Sequence, residues 1–291
     1  MPGIARHFYF CLLKLFELVT LSNVYNSFST LWAEHMHHLN FKSKHTRSLL
    51  IALLITFSPT AAADMLGVYA GAGSWKHSST GKMNHIGTDA DMENEYGFQD
   101  DYSNFVYVAF EHPFPLVPNI RISRYGLETS GTRTVTATTE FTFAGTAYTN
   151  GTDILSEFRW DEEDALIYYE ILDNIVSVDF GLGMKKVDAE IAVTAGGVTN
   201  KHQISETLPI FYTMFGVMIP GTGISASVDT TQSFGKDSDI VQTNTKVSYM
   251  TSYMLGIEAG YRTSKMSLVN FDTVTGEIDF TGPFANVYFH F

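Results

Sequence analysis

The sequence predicts an all-β fold: a transmembrane antiparallel up-and-down β-barrel of about ten strands, with the N- and C-termini both periplasmic. Three observations predict it. Residues 64–291 alternate apolar and polar with period 2, the connections alternate between long and short, and the last strand ends on an aromatic residue. Composition narrows the alternatives. The chain has 291 residues, 45% hydrophobic, 14% aromatic and only 17% charged. Its 22 Phe and 15 Tyr exclude a disordered chain. With 31 Asp+Glu against 18 Lys+Arg the net charge is −13, which excludes nucleic-acid binding through a basic surface. A single cysteine, Cys11, excludes a disulfide framework and a thiolate metal site.

The first 63 residues read as separate from the barrel. They carry Arg6, Lys14, Lys42, Lys44 and Arg47 against Glu17 and Glu34, whereas the remainder is strongly acidic. Residues 36–47 form a basic leader, 48–57 (SLLIALLITF) an apolar core, and Ala61-Ala62-Ala63 a small-residue cleavage site. That order predicts a signal peptide over 36–63. An anchor helix would need about 20 apolar residues. Residues 1–35 precede a complete signal peptide and read either as an over-long start or as an extension. The mature domain is then 64–291, a single transmembrane barrel.

Within it the alternation is clearest in the hairpin 240–269. Val241, Thr243, Thr245, Val247 and Tyr249 face one way, and Gln242, Asn244, Lys246 and Ser248 the other. Val176, Val178, Phe180, Leu182 and Met184 likewise alternate with Ser177, Asp179, Gly181, Gly183 and Lys185. Strands are expected at roughly 65–76, 102–111, 119–130, 154–171, 175–187, 203–218, 224–235, 240–250, 254–268 and 277–291. The intervening gaps 78–101, 131–153 and 188–202 are long. The gaps 112–118, 172–174, 219–223 and 251–253 are short, as periplasmic turns of bacterial barrels are. In the last strand Ala285, Val287, Phe289 and Phe291 share a face, so Val287, Phe289 and Phe291 read as a C-terminal assembly signal. Ile278 and Phe280 have the opposite parity, and a β-bulge near Gly282-Pro283 would restore register. Trp75, Tyr102, Trp160, Tyr168, Tyr169, Phe211, Tyr212, Tyr249, Tyr253 and Tyr288 lie near strand ends and read as interfacial girdles.

Several blocks resemble a family of bacterial outer-membrane β-barrel proteins of unassigned molecular function, labelled outer membrane protein "with GlyGly". They are Leu66–Trp75 (LGVYAGAGSW), Tyr107–Pro115 (YVAFEHPFP), Tyr168–Asn174 (YYEILDN), Gly256–Arg262 (GIEAGYR) and Tyr288–Phe291 (YFHF). The resemblance implies the same fold and an outer-membrane location, and supplies no catalytic residues.

Inward positions carry Glu111, Arg121, Glu170, Asp179, Lys185, Asp229, Lys246, Glu258 and Arg262. Two readings stand: an ion-pair network that neutralises a plugged lumen, or the lining of a narrow pore. Counting from the 251–253 turn places Lys246 opposite Glu258 and Gln242 opposite Arg262, and Glu111 and Arg121 flank the first short turn. Inward glycines (Gly67, Gly71, Gly73, Gly181, Gly183, Gly256, Gly260) either relieve crowding or leave free volume. The first long loop holds Asp89, Asp91, Glu93, Glu95, Asp100 and Asp101. It reads as a solvated acidic loop or as a divalent-cation site bridging lipopolysaccharide phosphates.

No cofactor and no resident metal are expected. The expected partners are outer-membrane lipids, lipopolysaccharide and the barrel assembly machinery, with no nucleic acid. The favoured function is structural or surface interaction with a largely plugged polar lumen; a narrow diffusion pore for ions or small solutes is the alternative. A rim-sited hydrolase is the remaining class, with no catalytic residue singled out. His77, His85, His112, His202 and His290 are the only histidines of the mature chain, and an Asp–His pair closer than 4 Å at the rim would favour that class.

Overall fold

The computed structural model describes residues 67–114 and 117–291; the expected signal peptide 36–63 and residues 1–35 lie outside them. The chain runs β1 (Gly67–His85), β2 (Ala90–Asp91), β3 (Asp101–Glu111), β4 (Asn119–Thr134), β5 (Phe141–Phe143), β6 (Thr146–Tyr148), β7 (Asp153–Asp173), β8 (Val176–Ala195), β9 (Val198–Ile219), β10 (Ile224–Ser233), β11 (Ser238–Met250), β12 (Leu255–Phe271) and β13 (Val274–His290). No helix occurs among the described residues. Setting aside the two-residue β2 and the separate β5–β6 hairpin leaves ten strands, β1, β3, β4 and β7–β13. Each pairs antiparallel with its neighbour in the chain, and β13 pairs back with β1 to close the barrel. Closure extends to the last residue: Val68 N donates to Phe291 O at 3.1 Å and Phe291 N to Val68 O at 3.0 Å. A strand that ended earlier would leave backbone groups unpaired, at roughly several kcal/mol each in an apolar surrounding.

The strands are longer than the alternation suggested, and this reshapes the connections. Residues 188–202, expected as a long loop, form a continuous β8–β9 hairpin that reverses at Gly196-Gly197, both at positive φ. A two-residue turn with positive φ at both centres matches the twist of the flanking strands. The gap expected at 270–276 closes to a turn at Asp272-Thr273. Only 86–100 and 135–152 are long. They fold over one end of the barrel, hereafter the cap end; the other end, with the termini, is the turn end.

The two ends differ in what each strand buries. Near the turn end the outward residues are apolar: Val106, Val108, Ile120, Ile122, Ile167, Phe180, Leu182, Ile257, Val287 and Phe289 are all exposed. This belt runs on β8 from Val176 to Met184, the reach of a tilted strand crossing hydrocarbon, about 9–11 residues. Beyond it the outward face is charged. Arg124 neighbours Glu163, which neighbours Lys186; Glu128 neighbours Arg159, which neighbours Glu190. The interior inverts in step. Behind the apolar belt it is polar, and behind the charged belt it is an apolar plug of Trp75, Phe98, Phe158, Trp160, Ile191, Ile240, Met266, Leu268, Phe271, Ile278 and Phe280.

That inversion corrects two expectations. No bulge interrupts β13 at Gly282-Pro283; its register with β12 runs unbroken from Phe289 to Gly276. Ile278 and Phe280 face inward like Phe284 and Tyr288, and they are apolar because that stretch lines the plug. Five residues of the expected girdle also point inward: Trp75, Trp160, Tyr168, Tyr212 and Tyr288 are buried. Tyr102, Tyr169, Tyr249 and Tyr253 are exposed.

The cap seals the plug. The β5–β6 hairpin buries Phe141, Phe143 and Tyr148 against Tyr96. Its backbone bonds the first loop through Thr88 N to Thr142 O (3.1 Å) and Ala144 N to His85 O (2.9 Å). At Gly87 a Cβ would stand 1.9 Å from the Thr142 carbonyl oxygen, so only glycine permits this approach. Gly87→Ala is expected to cost about 1–3 kcal/mol and to free the cap alone. Hydrogen exchange should quicken at residues 141–148 while the barrel strands keep their protection.

Candidate functional site

The interior is stacked in layers from the turn end to the cap end. Nearest the turns is a polar cavity of about 290 Å³, lined among others by Glu111, Arg121, Glu170, Asp173, Asp179, Asp229, Lys246 and Glu258. All project inward by strand parity. Asp173 joins them because the register slips between Glu170 and Leu172.

Cations occupy the inner end of the cavity. Lys246 Nζ lies 3.2 Å from Glu258 Oε1 and 3.8 Å from Asp229 Oδ2. The register differs by two residues from the expected one: Ser248 stands opposite Glu258, Lys246 opposite Gly260 and Asn244 opposite Arg262. The turn spans 251–254 rather than 251–253, with Met254 at φ 62°. Lys246 therefore meets Glu258 diagonally, and Gln242 faces Ser264 instead of Arg262. Glu111 and Arg121 do not pair either. Arg121 stands opposite Ala109 and places its guanidinium 4.8 Å over the Tyr107 ring. Glu111 accepts a hydrogen bond from Tyr168 Oη at 2.6 Å. Arg262 lies over two rings, 3.9 Å from Tyr125 and 5.0 Å from Trp75.

The inward glycines accommodate rings. Gly71 stands opposite Tyr107 and Gly256 opposite Tyr288. A Cβ at either would fall 2.4 Å or 2.1 Å from the tyrosine ring. The space they leave is filled by the neighbouring strand's side chain, as in glycine–aromatic pairs of curved sheets.

Between the cavity and the plug sits a fully buried cluster around Lys185, in which alternation alone singles out Lys185 and Gln242 but neither carboxylate. Lys185 Nζ lies 2.5 Å from Glu162 Oε2, 2.9 Å from Asp164 Oδ1 and 3.0 Å from Gln242 Oε1. Gln242 Nε2 donates to Glu162 Oε2 at 2.6 Å, and Trp160 Nε1 to Glu162 Oε1 at 2.7 Å. Glu162 and Asp164 alternate inward on β7 with outward Asp161 and Glu163. In an unbroken acidic run, parity is legible only once the register of β7 is known.

The acidic loop carboxylates bond mostly to their own loop. Asp91 Oδ1 accepts from the main-chain N of Glu93 (3.1 Å) and of Asn94 (2.8 Å). Glu95 Oε2 accepts from Asp91 N at 2.7 Å, and Asp89 Oδ1 from Asn84 Nδ2 at 3.1 Å. Asp100 pairs with Lys76 at 3.2 Å, and Asp101 Oδ1 accepts from Tyr102 N at 2.7 Å. Among the described residues no group of three or more His, Cys, Asp or Glu is placed to hold a metal ion.

At the rim of the cap end, His85 and His202 stack with centroids 3.9 Å apart. His202 Nε2 lies 3.5 Å from Asp272 Oδ2 and bonds the Asp272 main-chain oxygen at 2.8 Å. Thr273 Oγ1 is 3.2 Å from His85 Nδ1. Asp272 and Thr273 both take positive φ in the β12–β13 turn. Neither was singled out from sequence, because only the barrel's closure brings this turn beside β1 and β9.

No protein-family model and no curated protein matches the chain. Among solved structures it is similar to Neisserial surface protein A, at 15% identity over 79% of this chain and 99% of that one, with a TM-score of 0.32. It is similar to Ail, the attachment invasion locus protein of Yersinia pestis, at 11% identity over 76% and 99%, with a TM-score of 0.33. It is also similar to the translocator domain of the autotransporter NalP from Neisseria meningitidis, at 10% identity over 91% and 98%, with a TM-score of 0.41. At such identities the chemistry of the lumen and rim is read from this chain's own residues.

Two predictions follow from the interior. Lys185→Met leaves Glu162 and Asp164 buried without their cation, a loss of about 3–5 kcal/mol. The temperature at which the folded gel band converts to the unfolded one should drop, and adding Glu162→Gln and Asp164→Asn should restore part of it. The second concerns His85, whose imidazole is held below the ordinary histidine range by burial and then by the neighbouring charge of His202. The closed cap thus favours the neutral ring, while an opened cap takes up a proton near about pH 6.5. The stabilisation is complete above that value and is lost as pH falls through the lowered one. Hydrogen exchange at 141–148, corrected for its intrinsic pH dependence, should quicken as pH falls below about 6.5, and His85→Gln should flatten the response.

Proposed function

We propose that the protein is an integral β-barrel of the bacterial outer membrane with a structural or surface-interaction role, its lumen closed by the apolar plug. The observation that carries this reading is the exchange of faces along each strand. A water-soluble barrel would bury apolar side chains along its whole length, and a porin would line its whole length with polar ones. Here the apolar belt and polar interior of the turn end fit lipid outside. The charged belt and apolar interior of the cap end fit water outside. Short turns lie on the periplasmic side of bacterial barrels, so this reading points the cap away from the cell.

The charged belt then stands at the level of the lipid head groups. Arg124, Arg159 and Lys186, interleaved with Glu163, Asp161 and Asp188, offer lipopolysaccharide phosphates both direct cations and carboxylates for bridging divalent ions. Val287, Phe289 and Phe291, outward on the closing strand, are the residues we assign to recognition by the assembly machinery.

A plugged lumen disfavours the pore reading, and a bilayer recording tests it. The chain, folded in detergent and shown to be heat-modifiable on a gel, is expected to insert without discrete conductance steps. Voltage-stable openings would replace this reading with the pore.

The rim hydrolase is favoured by one contact, the 3.5 Å approach of His202 to Asp272. Against it, His202 Nε2 donates to the Asp272 main-chain oxygen at 2.8 Å, so that nitrogen has no lone pair for water, and the ring face is covered by His85. We infer no catalytic activity. Hydrolysis of a fluorogenic peptide or ester library that disappears in His202→Ala would overturn that inference.

A further inference from the structure

The polar cavity at the turn end is unequal in charge and unequal in how its charge is met. Asp229 and Glu258 are answered by Lys246. On the opposite wall Glu111, Glu170, Asp173 and Asp179 gather from β3, β7 and β8. Among the described residues none of these four has an ion-pair partner within 4.0 Å. Glu170 and Asp179 are direct cross-strand neighbours, an arrangement that repels unless a cation lies between or beside them. Asp179 is only 4% exposed, lines the cavity, and its Oδ1 has no hydrogen-bond partner. A buried carboxylate oxygen left unpaired is costly, and a guest that supplies donors relieves it.

The remaining wall decides what kind of cation fits. Tyr69, Tyr168 and Tyr212 line the same space. Ring faces attract weakly hydrated organic cations, and the cavity already uses one in this way, with Arg121 over Tyr107. A hard metal ion would need converging oxygen ligands, and among the described residues no such group is in place. The volume of about 290 Å³ suits one small molecule. The lining includes Ser177, Met218 and Ser225 beside the β7–β8 and β9–β10 turns, so the cavity is reached from the turn end.

We propose that this cavity binds a small organic ammonium compound, its charged nitrogen against Asp179 and Glu170 and its methyl or methylene groups against the tyrosine rings. This goes beyond a closed anchor: the half-lumen is a receptacle reached from one side of the membrane and stopped at the other.

Calorimetry on the full barrel folded in detergent tests it, with choline and putrescine as probes and glutamate and MgCl₂ as controls at matched ionic strength. Saturable one-to-one binding of at least one ammonium probe is expected, with glutamate silent. Asp179→Asn combined with Glu170→Gln should weaken that binding at least tenfold while keeping the heat-modifiable gel shift; if the pair does not fold, Asp179→Asn alone gives the same comparison. No saturable binding by folded protein, binding unchanged in the variant, or MgCl₂ binding with equal strength at the same site would each overturn the proposal.

Discussion

Everything else in this molecule follows from one constraint: each strand exchanges its apolar face partway along its length, as a strand passing through two surroundings must. A β-strand offers alternate residues to its two faces and has no other freedom. Where lipid lies outside, the outward residues must be apolar and the interior can hold water and charge. Where water lies outside, the apolar residues must turn inward. Strand β13 shows both regimes in one run, with Ala285, Val287 and Phe289 outward near the turn end and Ile278 and Phe280 inward near the cap end. No bulge is needed, because the surroundings change and the pleat does not.

The second regime gives this barrel a core of its own outside the belt. A ten-stranded lumen is narrow, and large rings fill it: Phe158 stacks on Phe280 at 5.6 Å and lies beside Trp160 at 6.3 Å. The two regimes need a boundary, and Lys185 with Glu162, Asp164 and Gln242 forms it. A buried cation bonded to two carboxylates and an amide is tolerable only when every donor is used. Its carboxylates come from β7 and its amide from β11 on the far wall, so the cluster ties opposite sides of the barrel together and holds the plug apart from the cavity.

The cap depends on a different economy of contacts. It is held by main-chain bonds between two loops and by aromatic packing around Tyr96, Phe141 and Phe143, with His85 under its edge. The stacked imidazoles of His85 and His202 sit where β1, β9 and the β12–β13 turn converge. Any proton taken up there is felt by the packing above it. The cap and the cavity lie on opposite sides of the plug.

The sequence by itself determined the class of fold, the strand count and the short turns at one end, because alternation, turn chemistry and the terminal aromatic are local properties. It also named nine of the inward charges, but not Glu162, Asp164 or Asp173. Partners within that set were a matter for the tertiary structure. Lys246 meets Glu258 only diagonally because five residues, 251–255, separate the paired Met250 and Gly256, which shifts the hairpin register by two. Glu111 meets Tyr168 rather than Arg121 because β3 and β7 flank β4 and their inward side chains meet over it. The plug was hidden for the same reason. Trp75, Trp160 and Phe280 are apolar residues on strands that are apolar elsewhere on the opposite face, and only the position of each residue along the barrel axis tells outer belt from core. Cap, rim cluster and acidic cavity join residues far apart in the chain, and local sequence carries no record of distances that ring closure alone creates.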